Sequence, residues 1–172
     1  MELRAGTSAD ISFIVATEHS PELREYIGTW TSEEHAAAMN DPDTRYLIAL
    51  GDSGNALGYI ILRGLLSEHR NIELRRVVIV SPGRGHGKEV LRLLLSQVFD
   101  EFGAHRLWLD VFETNLRAQH VYRSVGFQQD GVFREAVLRD GKYHSLLLMS
   151  ILDREYWVSR KGWPISTDNL PT

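Results

Sequence analysis

The sequence has 172 residues, of which 43% are hydrophobic and 24% charged, with a formal net charge of −4 and no cysteine. This length suits one well-buried domain, and the acidic balance argues against nucleic acid as the main partner, which usually requires a basic face. The lack of cysteine excludes disulfides, cysteine-ligated zinc and cysteine nucleophiles, and it favours a cytoplasmic location. Neither a signal peptide nor an apolar run of roughly 18 residues is present, so no membrane partner is expected.

Helix signals come first in the chain. Thr7 or Ser8 can cap a first helix, whose apolar residues follow at helical spacing. A second helix is predicted to start at a Ser32 cap and to stop at Asn40.

The next part of the chain is strand-like. The runs "TRYLIAL" and "ALGYIILRG" flank the turn segment "GDSGN", which predicts a hairpin. A third strand, "NIELRRVVIV", leads into a glycine-rich loop. The amphipathic helix after the loop carries these apolar residues on one face: Val90, Leu91, Leu94, Leu95 and Val98.

The remaining elements are a strand "HRLWLDVF", a helix closed by Gly126, and a hairpin with Asp140-Gly141 at its turn. Strands that alternate with helices imply a parallel pair joined by a crossover, with antiparallel hairpins on both flanks. The predicted class is α/β: a single domain with a mixed, twisted sheet of about six to seven strands flanked by helices. We expect the domain to span residues 1–157 and a C-terminal tail to span 158–172.

The glycine-rich loop lies in the segment "VVIVSPGRGHGKEVLRLLL". Successive N–H groups of such a loop, at the start of a helix, suit an anion. A nucleotide P-loop fails here, because Pro82 stands where its first glycine belongs and Glu89 where Ser or Thr belongs. The dinucleotide fingerprint G-x-G-x-x-G fails in either register as well. A plain glycine-rich turn with solvated cations stays open from the loop alone.

A second block follows the pattern N-x-x-A-x-x-x-Y-x-x-x-G-F, at Asn115, Ala118, Tyr122, Gly126 and Phe127. In this strand-loop-helix order, the two blocks resemble the GNAT superfamily of N-acetyltransferases over about residues 72–151. The family's loop reads Gln/Arg-x-x-Gly-x-Gly/Ala. Gly85 and Gly87 fill its glycine positions, while Pro82 replaces the usual Gln or Arg and Arg84 offers a substitute cation.

The resemblance implies transfer of an acetyl group from acetyl-CoA to a primary amine by direct attack, without a metal. The closing segment is similar to bacterial ribosomal-protein N-terminal acetyltransferases and to spermidine acetyltransferases. The acceptor therefore stays open among a peptide N-terminus, a polyamine and a small-molecule amine, and a homodimer is one candidate assembly. Two alternatives remain: a non-catalytic acyl-CoA sensor of the same fold, and a phosphate-binding domain of another fold.

The resemblance also implies a coenzyme site. The pyrophosphate would lie on the loop, at Gly83, Arg84, Gly85, His86, Gly87 and Lys88, where a Cβ would crowd the phosphate oxygens. The backbone of Val78 and Val80 would pair with the amides of the pantetheine arm. Asn115 would contact the same arm, and as a residue it is equally suited to cap its helix.

Two residues are candidates for the proton transfers. Tyr122 is either a core aromatic residue or, by the resemblance, the acid that protonates the leaving thiolate. Glu73 is the candidate base for the acceptor ammonium, directly or through water, and an ion pair with Arg75 is the alternative. Alternation along the strand predicts that Glu73 shares a face with Arg75 and Val77. Glu113 and His144 are weaker candidates.

Overall fold

The computed structural model describes residues 1–21, 23, 26–80 and 85–163. Within these residues the chain forms a seven-stranded sheet with the strand order β1-β2-β3-β4-β5-β7-β6. The strands are β1 (Glu2–Ala5), β2 (Thr44–Leu50), β3 (Ala56–Arg63), β4 (Asn71–Ile79), β5 (Arg106–Phe112), β6 (Gln128–Arg139) and β7 (Lys142–Leu152). The α-helices are α1 (Ile11–Glu18), α2 (Ser32–Met39), α3 (His86–Ser96), α4 (Leu116–Ser124) and α5 (Asp153–Arg160). A short 3-10 helix (Ser8–Asp10) precedes α1, and a π-helical turn (Gln97–Glu101) continues α3. None of the helices in these residues is long and apolar enough to cross a lipid bilayer.

The predicted order of elements is confirmed, and β1 and α5 are added to it. β1 has four residues, too few to show an alternating pattern. Helix α5 spans the predicted boundary after Trp157. Residues 164–172 lie outside the described residues, so the division into a domain and a tail stays a prediction.

The cap of α2 differs by one residue from the prediction. Thr31 is the N-cap: its side chain accepts a hydrogen bond from the N–H of Glu34 (3.2 Å), and the Glu34 carboxylate accepts one from the N–H of Thr31 (2.7 Å). Ser32 is instead the first helical residue. This reciprocal pair satisfies two N–H groups at the helix start, which a single cap at Ser32 would not.

Strands β4 and β5 are the predicted parallel pair, and they separate after a short ladder. Residues 71–73 of β4 pair with residues 106–108 of β5, and no later residue of either described strand continues this ladder. The facing edges beyond that point therefore carry N–H and C=O groups that need another partner.

Helices cover both faces of the sheet. The α3 face, which packs under α3, α4 and α5, buries Leu94 and Leu109. The α1 face, which packs under α1 and α2, buries Ile14, Tyr59 and Val78. The chain thus has two buried clusters separated by the sheet, as expected for an α/β domain.

A β-bulge in β4 changes the face on which its residues lie. The pairing with β3 skips Arg75. Leu74 belongs to the cluster on the α3 face, and Val77, three residues later, packs against the same cluster. The prediction that Glu73 shares a face with Val77 is therefore wrong, because the extra residue inverts the alternation between them.

The hairpin of β6 and β7 turns where the sequence predicts. Asp140 and Gly141 have φ angles of 49° and 74°. A two-residue turn with both central φ angles positive matches the twist of the flanking strands, and Asp-Gly adopts it at low cost.

Candidate active site

A cavity of about 1060 Å3 opens where β4 and β5 separate. Its walls come from the end of β4, the N-terminus of α3, helix α4, and α1 with the residues that follow it. Since α1 lies on one face of the sheet and α3 and α4 on the other, the cavity passes through the gap. A long ligand can lie along β4 and present its two ends on opposite faces.

The backbone of β4 offers hydrogen-bonding groups to this gap, but not from the predicted residues. The N–H of Val80 donates to the carbonyl of Leu57 on β3 (2.8 Å). Peptide groups alternate in direction along a strand, so those of Val78 also point to β3 and those of Val77 and Ile79 point to the gap. The N–H of Val80 and the peptide groups of Val78 are therefore used within the sheet, which contradicts their predicted role, and the peptide groups of Val77 and Ile79 are the ones that face the gap.

The N-terminus of α3 lies at one end of the cavity. Gly85 is its N-cap, with a φ of 80°, and its carbonyl accepts the N–H of Lys88 (3.1 Å). The N–H groups of His86 and Gly87, in the first turn, have no acceptor within the helix. Together with the helix dipole they suit an anion, and Gly85, Gly87 and Lys88 all line the cavity.

The other predicted loop residues are placed differently. Gly83 and Arg84 lie outside the described residues. The side chain of His86 does not line the cavity, and its Nδ1 is buried without a hydrogen-bond partner in the described residues. Of the groups of His86, only the backbone N–H therefore remains a candidate for the predicted contact with the pyrophosphate.

Asn115 serves as the N-cap of α4. Its Oδ1 accepts a hydrogen bond from the N–H of Ala118 (3.0 Å), and the residue also lines the cavity. The capping role is confirmed, and the contact with a pantetheine arm stays a prediction.

Tyr122 lies on α4, with its side chain lining the cavity. Its ring packs against that of Phe127, with 5.7 Å between ring centroids, and its hydroxyl has no hydrogen-bond partner among the described residues. Burial, and secondarily the charge of Asp110, raises the pKa of the Tyr122 hydroxyl well above its usual value. The phenol therefore keeps its proton and can donate it to a group that enters the cavity.

Two carboxylates stand where the strands begin to separate. Glu73 is the last residue of β4 that pairs with β5, and Asp110 lies on β5 two residues beyond that pair. Their sequence neighbours pack on the α3 face, so both side chains project on the α1 face. Neither lines the cavity itself, but the charge of Asp110 reaches both Glu73 and Tyr122.

Burial raises the pKa of both Glu73 and Asp110 above the usual value for a carboxyl group, and nearby Arg75 opposes the shift in both cases. Glu73 also forms the alternative ion pair, with Arg75 Nη1 3.6 Å from its Oε1. Arg63 lowers the pKa of Glu73 further, so Asp110 has fewer cations around it. Asp110 was not among the residues predicted from the sequence, although it is a lone acid inside the apolar strand "RLWLDVF", which is the same signal that indicates Glu73.

The weaker candidates lie at the far end of β5. An oxygen of Glu113 accepts a hydrogen bond from the N–H of Ser145 (3.4 Å), and the ring of His144 packs on Phe112 with 5.7 Å between centroids. Neither Glu113 nor His144 lines the cavity.

This arrangement has counterparts among known proteins. Residues 13–127 match the family model described as the acetyltransferase (GNAT) family. The chain belongs to the GNAT acetyltransferase family. It is an acetyl-CoA-dependent N-acetyltransferase, and the predicted fold and type of reaction are confirmed.

Two relatives and one solved structure illustrate the similarity of this GNAT enzyme to known proteins. It is 24% identical to the spermidine N(1)-acetyltransferase of Vibrio cholerae over 169 residues, covering 91% of this chain and 95% of that protein. It is 31% identical to an uncharacterized N-acetyltransferase of Mycobacterium tuberculosis over 133 residues, covering 76% and 79% of the two chains. Among solved structures, Vibrio cholerae spermidine N-acetyltransferase in complex with CoA and spermine superposes with a TM-score of 0.82 at 24% identity, covering 90% and 96% of the chains.

The α1 wall of the acetyltransferase cavity was not predicted. Phe13, Ala16 and Thr17 line the cavity from α1, and Ser20 and Tyr26 line it from the residues that follow. These residues follow no motif, and only the packing of α1 across the gap brings them to the site. Within the described ranges, no group of three or more His, Asp or Glu side chains is arranged to hold a metal ion.

The N-terminus of α3 gives a direct test of donor binding. We expect acetyl-CoA and desulfo-CoA to raise the Tm of the wild type, and Gly85→Glu to abolish both shifts, because it places a carboxylate where the pyrophosphate is predicted to bind. Gly103→Glu is the matched control, since Gly103 also has a positive φ (64°) and open space around its Cα. Undiminished Tm shifts in Gly85→Glu would contradict the assignment of the loop.

Proposed function

We propose that this enzyme acetylates a primary amine of an aliphatic polyamine. The observation that carries the proposal is the pair of carboxylates, Glu73 and Asp110, on the α1 face beside the point where the strands separate. Carboxylates at a cleft attract ammonium groups and exclude anionic acceptors. The activity named for the relative in Vibrio cholerae supports the same substrate class.

On the donor side, we assign the pyrophosphate of acetyl-CoA to the N–H groups of His86 and Gly87. Lys88 lines the cavity beside them and supplies a cation. The pantetheine arm then runs along β4, where the peptide groups of Val77 and Ile79 meet its amides. This path leads the thioester toward Tyr122 and the two carboxylates.

The chemistry requires the acceptor nitrogen to lose two protons and the leaving thiolate to gain one. The acceptor ammonium must lose a proton before its nitrogen attacks the thioester carbon, since the pKa of an alkylammonium is about 10.4. Asp110 and Glu73 accept this proton through water, because neither side chain lines the cavity directly. When the C–S bond breaks, Tyr122 donates its proton to the CoA thiolate, and the second proton that the acceptor nitrogen loses after the attack restores the phenol.

A thiol-release assay tests the acceptor class. Spermidine and spermine are expected to give a higher kcat/KM than hexylamine, an aliphatic amine without further positive charges, and the difference should shrink as salt is added. The double variant Glu73→Gln with Asp110→Asn should narrow the preference for spermidine over hexylamine as well. Faster turnover of a peptide N-terminus than of any polyamine would contradict the proposal, and so would an absence of turnover with every amine.

A further inference from the structure

A completely buried carboxylate lies outside the site described above. Glu18 is the last residue of α1, and its side chain has no exposed surface. Its Oε1 forms a salt bridge with the guanidinium of Arg76 and accepts a hydrogen bond from the hydroxyl of Tyr59 (2.6 Å). Its Oε2 accepts the N–H of Trp30 (2.9 Å). One carboxylate thus joins α1 to β3, to β4 and to the segment that leads into α2.

Arg76 is the cation that balances this carboxylate. His35 Nε2 lies 3.3 Å from Glu18 Oε1, but burial lowers the pKa of His35 below its usual value and so favours its neutral form. The guanidinium of Arg76 also stacks on the ring of Trp30, 4.9 Å from its centroid, and that of Arg63 lies 5.2 Å from the same ring. The pair is therefore enclosed by aromatic and polar groups that hold both partners in place.

The pair connects two walls of the acetyl-CoA cavity. Arg76 directly follows the bulge of β4 and precedes Val77, whose peptide groups face the gap. Glu18 directly follows Thr17, and both Thr17 and Val77 line the cavity. The hydrogen bond from Trp30 to Glu18 also brings together the two ends of the segment 18–30. That segment contributes further lining residues: Ser20, Leu23 and Tyr26.

A buried ion pair is a poor means of stabilising a fold, because desolvation offsets its attraction and well-packed apolar residues often do as well or better. Its hydrogen bonds, in contrast, demand a particular distance and direction. We propose that Glu18 and Arg76 are positioning residues for acetyl transfer. They hold the α1 wall and the bulge of β4 at the separation that the pantetheine arm and its thioester require.

The double variant Glu18→Leu with Arg76→Leu separates positioning from stability. Its Tm is expected to fall only moderately, because the loss of the ion pair is nearly neutral and only the Tyr59 hydroxyl and the Trp30 N–H lose their acceptor. Its affinity for acetyl-CoA should fall roughly tenfold or more, because a small displacement of the strand misplaces the ligand. Calorimetry with adenosine 3′,5′-bisphosphate provides the second readout. This fragment lacks the pantetheine arm and depends on the N-terminus of α3, so its affinity should not change.

The inference rests on the assigned donor site, and the two ligands keep the outcomes distinct. Failure of the wild type to bind the bisphosphate would count against the loop assignment, not against the pair. Wild-type affinity for acetyl-CoA in the double variant would overturn the positioning role, and so would an equal loss for both ligands, which indicates general loosening.

Two further variants complete the experiment. Tyr59→Phe removes one hydrogen bond to Glu18 and keeps the ring, so it should weaken acetyl-CoA binding in the same direction by roughly threefold. If the double variant does not fold, unchanged acetyl-CoA affinity in Tyr59→Phe overturns the proposal. Phe99→Leu, a core change on the α3 face with no contact to the cavity, is the control for lost stability and should bind both ligands as the wild type does.

Discussion

Replacing Tyr122 with phenylalanine is expected to lower kcat roughly 100-fold and to leave the affinity for acetyl-CoA within about twofold of the wild type. The hydroxyl has no hydrogen-bond partner among the described residues, so its removal breaks no structural contact there. The ring continues to pack against Phe127 and to line the cavity. Only the proton that the leaving thiolate needs is lost.

The raised pKa of Tyr122 also predicts how the activity of the wild type depends on pH. Because burial raises the pKa of Tyr122, its acid form persists to a higher pH than that of an ordinary tyrosine. The wild type should therefore lose no activity through ionisation of Tyr122 below about pH 10. Tyr156→Phe is the control, because it deletes the hydroxyl of another buried tyrosine. This hydroxyl donates a hydrogen bond to Asp100 (3.0 Å), and the ring belongs to the cluster on the α3 face. A kcat of Tyr122→Phe equal to that of the control would make Tyr122 structural.

Replacing Asp110 with asparagine is expected to lower kcat/KM roughly 100-fold at pH 7 and to have a much smaller effect near the pKa of the amine. The raised pKa of Asp110 means that its basic form appears only above the usual range for a carboxyl group. Wild-type kcat/KM should therefore rise first through this pKa and again as the acceptor amine loses its proton. In the variant, only the second rise should remain.

Comparing Glu73→Gln with Asp110→Asn shows which of the two carboxylates contributes more to deprotonation of the acceptor. Arg75 and Arg63 both lower the basicity of Glu73, whereas Arg75 alone does so for Asp110, so the loss in Glu73→Gln should be the smaller one. Asp140→Asn, on the hairpin turn, controls for the removal of a negative charge. A larger loss in Glu73→Gln than in Asp110→Asn would return the base role to Glu73, and wild-type profiles in both would remove it from the pair.

The thermal stability of Asp110→Asn provides an independent check on the role of Asp110. A carboxyl group with a raised pKa binds its proton more tightly in the folded protein than in the unfolded chain, so its ionisation opposes folding above that pKa. Asp110→Asn should therefore keep or raise the Tm at pH 7 while activity falls. A drop in both would indicate damage to the fold.

The sequence by itself determined most of the elements, all but β1 and α5, and its resemblance to a family indicated the type of reaction. The amphipathic spacing from Val90 to Leu95 is local and sufficient to give α3, whose buried face consists of Val90, Leu91, Leu94 and Leu95. Asp140-Gly141 gives its turn for the same reason, because two adjacent residues contain the whole signal. The glycine loop and the block from Asn115 to Phe127 resemble the family whose model the chain matches.

Tertiary structure decided which groups meet in the site. The extra residue at Arg75 separates Glu73 from the face of Val77, and this depends on how β4 pairs with β3. The direction of each peptide group along β4 is set by the same pairing, which is why the gap receives the groups of Val77 instead of those of Val78. Asp110 joins the site because β5 diverges from β4 just before it.

The buried pair of Glu18 and Arg76 shows why such contacts could not be predicted from the sequence. Its two residues are 58 positions apart, and each taken alone is an ordinary charged residue at the end of a helix or in a strand. Sequence periodicity reports how a residue relates to its neighbours a few positions away, so it predicts helices, strands and turns. Contacts between distant segments depend on how those elements pack, and only the packing of α1 on the sheet brings these two charges together.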